Sequence, residues 1–131
     1  MIPEKIVVII VQKKNSEYEL KKNFISLNCK VEEYSSLDIF FSEDNLSKQN
    51  NETFNNLLFL FDGKTFIEYD KEVKNKFNHK YKDANIILMG DFSESYLFSK
   101  ALLEKSCNEF IVTPFGKKES ENLLKRVFHN G

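Results

Sequence analysis

The polar residues that could carry chemistry stand at the ends of apolar runs. Gln12 and Lys13 follow Lys5–Val11, Asp62 follows Leu57–Phe61, Gly90 and Asp91 follow Asn85–Met89, and Thr113 with Pro114 follows Asn108–Val112. If these runs are parallel neighbours, their ends share one edge of a sheet, the place where ligands and reaction centres lie in open α/β folds. A carboxylate at that edge attracts a cation, and Lys13 is the ammonium placed to neutralise Asp62, since an opposite charge within several ångströms favours the ionised carboxyl. The plainer readings are a turn-forming Asp62 ahead of Gly63 and a solvated Lys13 close to Lys14 and Lys64.

Other chemistries find no motif. His79 lies between Asn78 and Lys80, and His129 lies in the tail, neither with a metal-like partner at suitable spacing. Cys29 and Cys107 are far apart with no CxxC, which reads as two reduced, partly buried thiols in the cytoplasm. There is no P-loop, GxGxxG, GxSxG or HExxH pattern, and four glycines leave few places to cradle a phosphate. The expectation is a domain that is not an enzyme and holds no cofactor.

The elements around these residues read clearly. Ile6–Val11 is a β-branched run without alternation, as a strand covered on both faces should be. Asn15 or Ser16 can cap a helix carrying Tyr18, Leu20, Phe24, Ile25 and Leu27 and ending near Asn28. Lys30–Tyr34 is a short strand, Ser35–Phe41 a weak helix, and Ser42–Asn56 a polar loop or frayed helix. After the strand Leu57–Phe61 the chain is expected to turn at Asp62-Gly63-Lys64. A helical spacing then runs through Phe66, Ile67, Val73 and Phe77 to the strand Asn85–Met89. Ser93 is read as the cap of the fourth helical segment, through Tyr96, Leu97, Ala101 and Leu102. Asn108–Val112 is the last strand, broken by Thr113–Gly116, and Lys117–Phe128 closes the chain with Leu123, Leu124, Val127 and Phe128 inward. Five strands alternating with five helical segments make a parallel sheet with right-handed crossovers.

Bulk properties agree with one domain. The chain has 131 residues, 41% of them hydrophobic, with thirteen Phe and no Trp, which is ample material for a core. Its formal charge of −1 provides no global positive field for nucleic acid or an anionic membrane. The N-terminal apolar run falls far below the roughly 18 residues of a membrane span, and no secretory signal is evident.

Two blocks carry a resemblance. Ser106–Phe115, with its Phe110 and its Thr113-Pro114-Phe115, resembles the Gly-Ala-x-x-Tyr-Leu-x-Lys-Pro-Phe segment of response-regulator receiver domains. Leu57–Asp62 is similar to the strand of that family that ends in the phosphoacceptor aspartate. The resemblance covers Lys5 to Phe128. It implies a flavodoxin-like three-layer α/β/α sandwich with a five-stranded parallel sheet in the order 2-1-3-4-5, a single domain over 1–131 that can be one piece excised from a longer multidomain protein, and a cytoplasmic role in two-component signalling.

The departures from the family are specific. The acidic pair that helps hold Mg²⁺ is matched by Gln12 and Lys13, the hydroxyl at the end of the fourth strand by Gly90 or Asp91, and the phosphate-pairing lysine by Thr113. Thr65-Phe66 stands in place of Met-Pro, and Phe110 matches the family's switching aromatic. Phosphoryl transfer depends on stabilising charge on the transferring oxygens. The expectation is therefore an atypical receiver with no Mg²⁺ site, working through a protein partner or homodimer at its fourth-helix, fifth-strand and fifth-helix face. It is expected to bind neither nucleic acid nor membrane. Two alternatives stay open: a phosphoacceptor modified on Asp62 by a histidine kinase, with Asp91 as an unusual metal ligand, and a flavodoxin-like domain binding a small molecule at the strand ends.

Overall fold

The computed structural model describes residues 5–11, 17–42, 56–81, 84–103, 107–112 and 116–128. Its centre is a five-stranded sheet in the order β2-β1-β3-β4-β5. The strands are β1 (Ile6–Ile10), β2 (Lys30–Tyr34), β3 (Leu57–Asp62), β4 (Asn85–Gly90) and β5 (Glu109–Val112), and every pairing is parallel. All five residues of β1, the first five of β3 and the last five of β4 are buried, because helices cover both faces. The outer strand β2 is instead charged and partly exposed. Lys21 pairs with Glu33 at 3.2 Å, and the Tyr34 hydroxyl donates to Glu32 at 2.8 Å. Charged side chains on an outer strand discourage edge-to-edge association.

Alternation along the strands sorts the core into two layers. Ile6, Val8, Ile10, Phe59, Phe61, Ile86 and Leu88 face α2 (Leu37–Ser42), α3 (Gly63–Glu68), α4 (Lys71–Lys80) and α5 (Ser95–Leu103). Val7, Ile9, Leu58, Leu60, Ile87 and Met89 face α1 (Glu17–Ser26) and α6 (Lys117–Val127). The first layer is dominated by aromatic rings. Phe77 meets Phe59 edge-on at 4.9 Å and Phe61 at 5.3 Å, while Phe40 and Tyr81 close on Phe59 at 5.5 and 5.1 Å. Edge-to-face contacts set the electropositive rim of one ring against the face of the next.

Helix ends follow local chemistry. α1 stops where Asn28 takes a positive φ of 68°, with its N–H on the Ile25 carbonyl and that of Cys29 on Phe24, a Schellman ending. At the start of α6, Glu119 accepts from the Gly116 N–H at 2.9 Å, satisfying an orphan donor. Along α6, Leu123 and Leu124 are buried, with Val127 and Phe128 packed on the same layer.

Four readings of the sequence change. The expected turn after β3 is absent, because α3 begins at Gly63 directly behind Asp62. The spacing through Phe66 and Phe77 is two helices, not one. Asp70 breaks it by accepting from the Glu72 N–H at 3.2 Å as the cap of α4, and the Lys74 ammonium donates to the Ile67 carbonyl at the end of α3. Ser93 lies inside a 3₁₀ turn, Phe92–Glu94, with α5 starting at Ser95. Ile25, expected on the apolar side of α1, is exposed. The caps Asn15 and Ser16, and most of Ser42–Asn56, lie outside the described residues.

Both cysteines are buried in the core, Cys29 in the α1–α6 layer and Cys107 in the opposite one. Burial raises the Cys29 thiol, against a smaller pull from Lys5, and pushes Cys107 up to about 11, against the Glu109 N–H.

Asn108 brackets the start of the β4–β5 ladder. Its N–H donates to the Ile86 carbonyl at 2.7 Å while its side-chain oxygen accepts the Ile86 N–H at 2.6 Å. Asn108→Ala should strand the buried Ile86 donor and cost about 1–3 kcal/mol in urea unfolding, with faster exchange of the Ile86 amide. An unchanged midpoint would show that the bracket is dispensable.

Candidate functional site

The strand register fixes which residues share the carboxyl edge. Phe61 pairs with Ile10 and Asp62 with Met89, while Gly90 pairs with Val112. Asp62 therefore ends the central strand, beside Val11 on one side and the Met89–Gly90 end of β4 on the other. Gly90 and Asp91 differ sharply in setting. Gly90 is buried as the last residue of β4, and Asp91 is exposed just beyond it. Gln12, Lys13 and Thr113 lie outside the described residues.

Asp62 is partly buried and has a definite partner. The Thr65 hydroxyl donates to its carboxylate at 3.0 Å, one turn into α3. Asp62 is also the residue preceding the first turn of α3, with φ −63° and ψ 116°, yet its side chain makes no bond to the helix backbone. The carboxylate is turned onto a side-chain hydroxyl. Thr65 was visible in the sequence as part of the replacement for Met-Pro; its bond to Asp62 comes from the unforeseen start of α3 at Gly63.

Tyr69, which sequence reasoning missed, stands close by. Its ring packs on Phe61 and Phe66 at 6.5 and 6.2 Å, and its hydroxyl oxygen accepts the Leu37 N–H at 3.1 Å, anchoring the start of α2. Burial is the main reason the phenol is raised; the Leu37 N–H opposes it, and the charges of Asp38 and Asp62 add to it. No sequence signal links Tyr69 to a backbone group 32 residues away.

Phe110 is partly buried on the α5 side of β5. Its ring lies 5.9 Å from that of Phe98, and its Cε2 is 3.6 Å from the point where a Cβ on Gly63 would sit. His79, placed on a polar stretch by the sequence, is exposed on α4. Among the described residues no three His, Cys, Asp or Glu side chains come together as metal ligands. The described polar groups at the edge are the Asp62–Thr65 pair, the exposed Asp91 beyond β4 and, behind the pair, Tyr69.

Tyr69→Phe should remove the acceptor from the buried Leu37 N–H, lowering stability by about 1–3 kcal/mol and accelerating exchange of that amide. The folded phenol is raised, so its contribution to stability is complete below its ordinary value of about 10 and is lost as pH rises through the higher folded value. The phenylalanine variant should lose this alkaline sensitivity. Retention of wild-type exchange at Leu37 would contradict the assignment.

No protein-family model and no characterised protein matches the chain by sequence. Solved structures do match in shape. The signal receiver domain of an HD domain-containing protein from Pseudomonas fluorescens Pf-5 superposes with a TM-score of 0.71 at 12% identity, covering 98% of this chain and 89% of that one. A structure described as adenylate cyclase from Rhodopirellula baltica superposes with a TM-score of 0.68 at 12% identity, covering 96% of this chain and 88% of that one. Five parallel strands in the order 2-1-3-4-5, with helices on both faces and an aspartate ending the central strand, give this chain the flavodoxin-like fold of a receiver domain.

Proposed function

We propose that the chain is an atypical receiver-like domain that acts in signal transduction by binding protein, without Mg²⁺-dependent phosphorylation of an aspartate and without enzymatic activity of its own. The observation that carries this reading is the composition of the strand ends. Asp62 stands at the acceptor position, but its described partner is the neutral Thr65 hydroxyl, and the position where the family places a hydroxyl falls on Gly90 or Asp91. At the other matched positions the sequence has Gln12, Lys13 and Thr113. A hard cation needs several oxygen ligands, and a transferring phosphoryl group needs fixed positive charge. A lysine and an amide in place of two carboxylates weaken the first, and a threonine in place of a lysine weakens the second.

The exposed surface supports a docking role. Phe92, Tyr96 and Leu103 project from the 3₁₀ turn and α5 with 78%, 69% and 85% of their surface exposed, and Val112 of the outer strand β5 is 43% exposed. Tyr96 and Leu103 are seven residues apart, which places them on one side of α5. They leave apolar side chains exposed on the 3₁₀ turn, α5 and β5, elements that belong to the face expected for a protein partner or a second copy. Among the described residues no helix is long and apolar enough to cross a membrane. We place the domain in the cytoplasm as part of the same reading.

The test is phosphorylation itself. The domain is incubated with Mg²⁺ and acetyl phosphate, or with beryllofluoride, and followed by intact mass and backbone amide spectra. The expected result is no phosphate adduct and no shift around residues 60–66. An adduct that disappears in Asp62→Asn would establish the alternative, a working phosphoacceptor fed by a histidine kinase. A saturable shift at the strand ends with a small metabolite, and none with phosphate analogues, would establish the small-molecule reading.

A further inference from the structure

Asp62 and Gly63 form the single Asp-Gly step of the chain. Such a step carries its own chemistry. The Gly63 nitrogen attacks the Asp62 Cγ, a C–N bond forms, the carboxyl OH and the amide hydrogen leave as water, and a cyclic succinimide results. Water then opens the ring at either carbonyl. Opening at the carbonyl attached to Cα leaves the chain running through Cγ as isoaspartate, with no net change of mass. Glycine favours the attack, because no Cβ shields its nitrogen and its backbone turns freely in an open chain.

We propose that Asp62-Gly63 is a latent aspartate-isomerisation site that the first turn of α3 holds unreactive. Ring closure requires the Gly63 nitrogen to eclipse the Asp62 Cβ, whereas at the observed ψ of 116° it stands roughly a third of a turn away, far from an attack geometry. Rotation into line would swing the start of α3 off the sheet, and several contacts oppose that. Gly63 is buried so close to β4 that an added Cβ would lie 3.2 Å from the Met89 carbonyl oxygen. Phe66, one turn on, is fully buried with its ring 4.6 Å from that of Phe61. The Thr65 hydroxyl donates to the carboxylate at 3.0 Å, a bond that must break before Cγ turns toward Gly63. The reaction therefore waits on a local opening of this turn. Its product does not fit the native fold, because isoaspartate lengthens the main chain by a methylene and displaces Gly63 from its place against Met89. The chemistry needs neither phosphate nor partner, so it is independent of the proposed function.

The test is the rate of isoaspartate formation at residue 62 in the whole chain, read by separating and fragmenting the peptide that spans 62–63. Incubation is at about pH 5, where part of an ordinary aspartate population is protonated and able to lose water. The folded chain should isomerise at least about tenfold more slowly than the same chain unfolded in urea. Thr65→Val, which frees the carboxylate, should speed the folded reaction about threefold and leave the rate in urea unchanged. Gly63→Ala should slow the reaction in urea, which ties the product to this step. If Thr65→Val does not fold, the unaltered chain in urea below its unfolding midpoint replaces it, with isomerisation expected to rise in proportion to exchange of the Thr65 amide. Equal rates in the folded and unfolded chain would show that the fold gives no protection. Absence of isoaspartate at 62 in both states would show that the step is not a site. Either result overturns the proposal, as does a folded Thr65→Val chain that reacts no faster than the unaltered one.

Discussion

The close approach of Gly63 to the backbone of β4 is the constraint on which the rest of the site depends. Because residue 63 has no side chain, α3 can begin in the very next residue after β3 and lie against the Met89 carbonyl. That direct start brings Thr65 back over Asp62 and sets the first turn of the helix beside the Phe110 ring. α3 is short because the Asp70 cap starts a new helix close behind it. The helix ends at Glu68, Tyr69 turns its ring onto Phe61 and Phe66, and Asp70 starts a new helix whose Phe77 fills the aromatic layer. The carboxylate stands beside the first turn of α3 because the helix starts at once, while Tyr69 anchors α2 by a separate bond to Leu37.

The framework was legible because burial on both faces leaves a compositional mark. Ile6–Ile10, Leu57–Phe61 and Ile86–Met89 contain no charged residue, and all of them are buried strand residues. Asn28 and Gly116 mark helix boundaries by mechanisms that act within a few residues, a left-handed ending and a side-chain cap. Where two local signals competed, period alone misled. The apolar spacing of Phe66, Ile67, Val73 and Phe77 continues across Tyr69-Asp70, but the Asp70 cap decides where the backbone bonds go. Ser93 has the right side chain for a cap, yet the chain winds a 3₁₀ turn around it. Periodicity also fails to tell an apolar residue that is packed from one that is offered to solvent, as Ile25, Tyr96 and Leu103 show.

The site divides along the same line. Asp62 could be placed from the sequence because its position follows from where an apolar run ends. Its bond to Thr65 needed the knowledge that the helix starts at once, and the link from Tyr69 to Leu37 joins parts of the chain that only the folded sheet brings together. Phe110 was identified as an aromatic on the last strand, but its neighbours Gly63 and Phe98 come from two other elements. Side chains that meet across layers leave no spacing to read.

The central claim is electrostatic: a carboxylate at the end of β3 that satisfies itself with a hydroxyl, in a site whose matched metal and phosphate partners are Gln12, Lys13 and Thr113, should have little hold on a hard divalent cation. Titrating Mg²⁺ while following the backbone amides of Asp62, Gly63 and Asp91 measures this most directly. The account predicts shifts that stay small and linear up to about 20 mM, the behaviour of ions screening surface charge rather than filling a site. A saturable shift with a midpoint in the low millimolar range or below, abolished by Asp62→Asn, would show that the metal site persists and would contradict it.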